Sequence, residues 1–316
     1  MSFDDEDLAP FAARAASDDP AVRRVAMMDL AEEPGEGAAS LLIAGLRDSD
    51  AVVREAAARA LEEHEGLPVA VALIGALEDP VAAVRTAAAE ILADKKEPGS
   101  EALLVARAAH ADPSVAAAAL RALREMTEPS AQPAALAALQ SRAPEVRREA
   151  LGVLGWLKAE AALPDMVRCA ADADPSVRRA LMSALVVSRP GSTGAATLVA
   201  GLADAHWQVR EEAASTAGKL RLQEAADALA HAMQDEVWQV RIKAANALGR
   251  MKALPAVPVL GAALRHDMSN LRKEAAAALG EIADASCRPW LEATMDDPDP
   301  DVRRITRWAM RRCPPA

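Results

Sequence analysis

A valine or leucine returns every 31 residues through almost the whole of this chain, nearly always with arginine behind it. The positions are Val22, Val53, Val84, Val115, Val146, Val177, Val209, Val240, Leu271 and Val302, and the one irregular step is 32 residues, between Val177 and Val209. Arginine follows this anchor in nine of the ten copies, Ala116 being the exception. Alanine stands four residues after it in eight copies, with Leu181 and Thr306 in the others. Leucine stands eight residues after it in eight copies, with Ala217 and Met310 in the others. These three positions share one stripe of an α-helix. A pattern held in phase this long describes a small supersecondary unit repeated in one direction, each unit resting on its neighbours.

Every unit divides into two helices. The anchor helix opens at turns such as "DPAVRR", "DPSVAA", "DPSVRR" and "DPDVRR". There Asp19, Asp112, Asp174 or Asp299 suits the N-cap and the following proline suits the first helical position. The preceding helix reads "AASLLIAGLRD", "PVAVALIGALED" or "AATLVAGLAD", apolar on one side. Breakers such as "EEPGEG", "DKKEPGS", "TEPSAQP" and "SRPGSTG" separate the units. Two short helices cannot bury their apolar faces alone, whereas a stack of pairs forms a continuous core. The expected fold is therefore all-α, an α-solenoid of about ten 31-residue helical hairpins forming one domain over residues 1–316. Its ends carry opposite charge. The first 36 residues hold ten acids against three arginines, and "VRRITRWAMRRCPPA" holds five arginines and no acid. The first repeat, about 6–34, reads as an acidic cap and the last, about 286–313, as a basic one.

Composition agrees. Aromatic residues make up 2% of the chain, with no tyrosine, so the apolar content is small and aliphatic. The alanine four residues after each anchor is predicted to let adjacent helices approach near the short end of the usual spacing, about 8 Å. Arg23, Arg54, Arg85, Arg147, Arg178, Arg210, Arg241, Arg272 and Arg303 recur at one height beside acidic turns. They are predicted to form a structural ladder of Arg–Asp contacts between neighbouring repeats. A net charge of −11 argues against nucleic acid. No apolar run approaches the length of a membrane span. Cys169, Cys287 and Cys313 are far apart with no CxxC, which reads as free thiols in a reducing, cytoplasmic setting.

Units such as "DPSVRRALMSAL" and "WQVRIKAANALGRMKALPAVPVLGAAL" resemble the short HEAT-type repeat of the phycobilin-lyase HEAT-like family. The resemblance extends over roughly 6–313 and is clearest from Ala143 to Ala283. It implies an α-solenoid that binds other macromolecules. For the lyases sharing this repeat, it implies handling of a tetrapyrrole destined for a cysteine of another protein. No His or Cys cluster marks a chromophore pocket here, and no cofactor is expected. The single pair His64-Glu65 resembles one of the several such pairs with which HEAT-type deoxyhypusine hydroxylases hold two irons. One pair supplies too few ligands, so no metal site is expected. His110, His206 and His266 read as exposed turn residues ahead of second helices. With no phosphate loop and no nucleophile signature, no catalytic residue is assigned and the chain is expected not to be an enzyme.

Against so few aromatics, Trp-Gln-Val-Arg occurs twice, at Trp207 and Trp238. Each indole stands two residues before its anchor, where Pro20, Pro113, Pro144, Pro175 and Pro300 stand in other repeats. That is the first turn of a second helix. Two readings remain open: each indole covers the turn beneath it, or the pair anchors a partner. On the second reading the flanking residues are His206, Glu211, Ser215, Ile242, Asn246, Met268 and Asn270, and tryptophan is enriched among residues that dominate binding energy. The expected function is a protein-protein interaction scaffold or assembly adaptor, itself a monomer, whose partner is another protein. The alternative is a bilin-lyase-like or chaperone-like factor that handles a cofactor-bearing protein.

Overall fold

The computed structural model describes residues 8–126 and 128–315, and no strand occurs among them. Glu6 and Asp7 of the expected acidic cap lie outside the described residues. The chain forms two compact units, Met1–Leu157 and Lys158–Ala316. The first contains α1 (Ala9–Ala15), α2 (Pro20–Leu30), α3 (Glu36–Gly45), α4 (Ala51–Ala60), α5 (Leu67–Ala76), α6 (Ala82–Asp94), α7 (Glu101–Arg107), α8 (Pro113–Met126), α9 (Gln132–Ala138) and α10 (Pro144–Trp156). The second contains α11 (Leu163–Met166), α12 (Pro175–Ala184), α13 (Thr193–Gly201), α14 (Trp207–Leu220), α15 (Ala226–Ala232), α16 (Trp238–Met251), α17 (Val257–Ala263), α18 (Ser269–Ile282), α19 (Arg288–Glu292) and α20 (Pro300–Arg312). Odd-numbered helices open the hairpins and even-numbered helices close them. Within each unit every even-numbered helix packs on the next.

The repeated stripe is the core. Every anchor from Val53 to Val302 is buried, and all ten residues at the fourth position after the anchor are fully buried, including Leu181 and Thr306. Val22, in the first described hairpin, is the exposed anchor. Each buried leucine at the eighth position contributes about 2 kcal/mol. Turn chemistry sets where the second helices begin. The carboxylates of Asp19, Asp112 and Asp174 accept from the amides of Ala21, Ser114 and Ser176 at 2.7–2.8 Å, and Asp299 accepts from Asp301 at 2.8 Å.

Glycine as well as the predicted alanine sets the helix spacing. In the second unit even-numbered helices approach closely nine residues after the anchor, at glycine. A Cβ built on Gly218 would stand 2.9 Å from the Cα of Ala247, and one on Gly249 would stand 2.6 Å from that of Ala278. One on Gly280 would stand 2.9 Å from the Cα of Ala309. The alanine at the fourth position instead faces the first helix of its own hairpin. Ala57 lies against Gly45 and Ala213 against Gly201, 3.0 and 3.3 Å from a Cβ built on each glycine. Alanine therefore closes the hairpin, and glycine joins one hairpin to the next.

The basic end is fastened as well as solvated. Arg312 lies over the Trp308 ring at 5.1 Å and donates from Nε to the Gly280 carbonyl at 2.8 Å. Arg288 donates to the Cys313 carbonyl at 3.0 Å. Cys169, Cys287 and Cys313 are buried thiols, and burial pushes Cys313 up to about 11. No helix among the described residues is long and apolar enough to cross a membrane.

Candidate functional site

The arginine ladder sets the frame on which exposed side chains are displayed. Each of its nine arginines donates from Nη1 to two carbonyls of the turn leading into its own helix. The carbonyl six residues back lies at 2.6–2.9 Å and the one five residues back at 2.9–3.3 Å. Held this way, the fork reaches the next hairpin. Arg23, Arg54, Arg178, Arg210 and Arg272 donate from Nε to Asp48, Asp79, Asp204, Asp235 and Asp297 at 2.6–2.8 Å. Nη2 donates to the other oxygen of each carboxylate at 2.8–3.1 Å. The same carboxylate accepts from the amide two residues on, at 2.8–2.9 Å. One aspartate thus caps its own turn and clamps the preceding repeat. The sequence carried this as a second period: aspartate five residues before the anchor.

The Arg23, Arg178 and Arg272 guanidiniums hold Asp48, Asp204 and Asp297 below the usual carboxylate range. A folded value below the unfolded one, about 3.9, gives stabilisation that is fully present above that value. It is lost as pH falls through the folded values. Melting temperature is therefore expected to fall steeply only below about pH 4. Asp204→Asn is expected to flatten that acid limb; an unchanged limb would place its origin elsewhere.

The predicted ladder is not continuous. Arg85 and Arg241 make no salt bridge among the described residues, because the next hairpin offers His110 and His266 in place of aspartate. Those histidines are capping groups rather than idle turn residues. The Nδ1 of His110 accepts from the Asp112 amide at 3.1 Å, and that of His266 from the Met268 amide at 3.0 Å. Arg303, in the last hairpin, makes its carbonyl bonds and no salt bridge among the described residues. His64 is likewise fastened: it is buried, with Nε2 3.3 Å from the Leu30 carbonyl, and its own carbonyl accepts from Lys95 at 2.6 Å.

On this frame Trp207 opens α14 and Trp238 opens α16, as the proline register predicted. Trp207 is half-buried, with the His206 ring stacked beside it at 6.5 Å between centroids. Trp238 follows Val237, has no such ring before it, and is 43% exposed. Glu211 and Ser215 lie half-buried on α14, Ile242 lies half-buried on α16, and Asn246 is exposed there. Met268 is half-buried at the N-cap of α18, and Asn270 is exposed in its first turn, accepting from Lys273 at 3.4 Å. The nine residues thus lie on or at the N-caps of three successive even-numbered helices, α14, α16 and α18, each packed on the next. Sequence reasoning missed a second exposed apolar patch, in the first unit. There Met28 and Val52 join Arg24, Glu55 and Arg59 around a groove of about 370 Å³ between α2 and α4. Its apolar residues lie off the repeated stripe, so no period announces them.

A family model described as HEAT repeats matches residues 8–93, 100–186, 195–269 and 257–312. No curated protein matches the chain in sequence. Among solved structures, an engineered protein is similar with a TM-score of 0.55 and 21% identity, over 97% of this chain and 98% of that one. Yeast importin-β, Kap95p, is similar with a TM-score of 0.68 and 13% identity, over 95% of this chain and 51% of that one. Kap95p with RanGDP gives a TM-score of 0.66 and 16% identity, over 97% and 51%. The chain thus spans about half the length of importin-β, and at these identities the likeness is one of fold. The matched segments, the hairpin register and the absence of strands among the described residues agree: this chain belongs to the HEAT-repeat family and has the α-solenoid fold.

Proposed function

We propose that the chain is a non-catalytic protein-binding scaffold that docks a partner protein across the N-terminal turns of α14, α16 and α18. Trp238 carries this reading: it is an indole 43% exposed at a position that five other repeats fill with proline. Helix initiation does not require it there. Covering such a side chain is the kind of burial that dominates protein interfaces. Trp207, Ile242 and Met268 supply half-buried apolar surface beside it, and Asn246, Asn270 and Glu211 supply a polar rim, the usual arrangement of an interface. The fold supports the reading, since Kap95p, a solenoid of similar fold, binds RanGDP.

Trp238→Ala is expected to weaken binding of the purified natural partner about 30-fold, the size of a hot-spot loss of 2 kcal/mol. Trp207→Ala/Trp238→Ala is expected to weaken it further. Helicity and melting of the single variant are expected to stay at the level of the natural chain, because its indole is the more exposed. A collapse in melting with unchanged partner affinity would make the indole a structural cover and sink the proposal.

A further inference from the structure

The regularity of the ladder makes its irregular rungs informative. Arg241 holds the posture of the paired arginines, with Nη1 donating to the Asp235 and Glu236 carbonyls at 2.6 and 3.2 Å. Five arginines held this way present Nε and Nη2 to a carboxylate of the next hairpin. At the register position of that carboxylate the hairpin after Arg241 carries His266 instead. The one lone pair that a neutral imidazole offers is consumed at Nδ1 by the Met268 amide, so the other ring nitrogen carries a hydrogen. A protonated ring would have no lone pair at all. In neither state does His266 offer the guanidinium an acceptor. Arg241 Nε is accordingly buried with no hydrogen-bond partner among the described residues. Of the nearby acids, Asp235 pairs with Arg210 at 2.6 Å, and Glu236 turns out to solvent, 86% exposed and 3.8 Å from Arg210. A buried, charged donor without an acceptor is a costly arrangement.

We propose that the Arg241–His266 rung receives a carboxylate carried by the docking partner. An aspartate or glutamate side chain of that partner takes the place that Asp48, Asp79, Asp204, Asp235 and Asp297 occupy in the complete rungs. His266 swings aside, and the incoming carboxylate accepts from Arg241 Nε and Nη2 and from the Met268 amide, reproducing the threefold pattern of the other rungs. Trp238 lies three residues before Arg241, on the same helix face. The partner segment recognised is thus an acidic residue flanked by a large apolar one, the apolar group resting on Trp238. Arg85 and His110 repeat the substitution in the first unit, but Ala82 stands where Trp238 does, so that rung lacks the apolar half of the site. A chain of net charge −11 repels polyacidic partners, which favours a segment with a single acid.

This inference deepens the docking reading of the same ridge. Its test uses a defined probe, so the two can fail separately. The full-length chain is titrated with acetyl-Leu-Asp-Leu-amide while the Arg241 Nε–H resonance and tryptophan fluorescence are followed. A saturable shift of that resonance is expected, with at least tenfold weaker binding by the asparagine peptide and by free acetate. His266→Asp fills the rung from within, so this variant is expected to melt above the natural chain and to lose the response. An absent shift, an undiminished response in His266→Asp, or a lower melting temperature of that variant would overturn the assignment. Equal binding of acetate alone would overturn the assignment to a partner segment. A normal peptide response beside partner binding that ignores Trp238→Ala would sink the ridge reading and leave the carboxylate site standing.

Discussion

Asp235→Ala is expected to destabilise the protein by about 3 kcal/mol, read from urea unfolding of the full-length chain. The carboxylate is 9% exposed and its partner Arg210 is 11% exposed, so solvent does little to screen their loss. Removing it leaves Arg210 Nε without its acceptor and Nη2 with only the exposed Glu236 carboxylate, 3.8 Å away. It also strips the Val237 amide of its acceptor at the start of α16. Both penalties fall on groups that cannot turn to water, which is why deleting one partner costs more than the pair contributes net. Two comparisons separate the terms. Asp235→Asn keeps an acceptor oxygen and is expected to lose roughly half as much, because the charge-assisted bond becomes a neutral one. Arg210→Met with Asp235→Ala is expected to lose less than the sum of the two single losses, since no charge is left unpaired. Strict additivity would mean that the two residues act independently.

Gly249→Ala is expected to destabilise by about 2–3 kcal/mol, the cost of overpacking where backbone rather than a flexible side chain must yield. The new methyl group would lie 2.6 Å from the Ala278 Cα and 2.9 Å from its Cβ, so α16 and α18 must separate. Gly75→Ala on α5 makes the opposite case. Nothing lies within 4 Å of its Cβ position, so the gain in helix propensity, about 1 kcal/mol, has no steric opponent. Thermal melts of the two variants should shift in opposite directions. Two shifts of the same sign would show that helix propensity, not helix contact, governs these glycines.

How much of this was legible in advance depended on what repeats. The anchor, the alanine and the leucine recur, and recurrence revealed the stripe because an apolar side chain at a fixed helical phase has one place to go in a stack. The ladder was legible for the same reason, down to its Arg–Asp chemistry. Its gaps were also written, at His110 and His266, but a histidine in a turn looks unremarkable until a neighbour's guanidinium is seen to need an acceptor. Gly218, Gly249 and Gly280 are periodic too. Their part in joining hairpins is not legible in the pattern, because a one-dimensional pattern places both glycine and alanine on a buried face without saying which neighbour each one meets.

The sequence by itself therefore determined the class of fold, the hairpin register, the helix starts and the clamp linking one repeat to the next. All of these follow from short-range periodicity and capping, which act between residues close in the chain. Which small residue separates which helices was decided only by the packed structure. So were the 43% exposure of Trp238 against the half-burial of Trp207, and the missing acceptor beside Arg241. The helix contacts and the missing acceptor depend on what a residue some 25 to 31 positions away brings to the same point in space. Exposure and hydrogen-bond satisfaction are properties of that assembled neighbourhood, and no single repeat contains it.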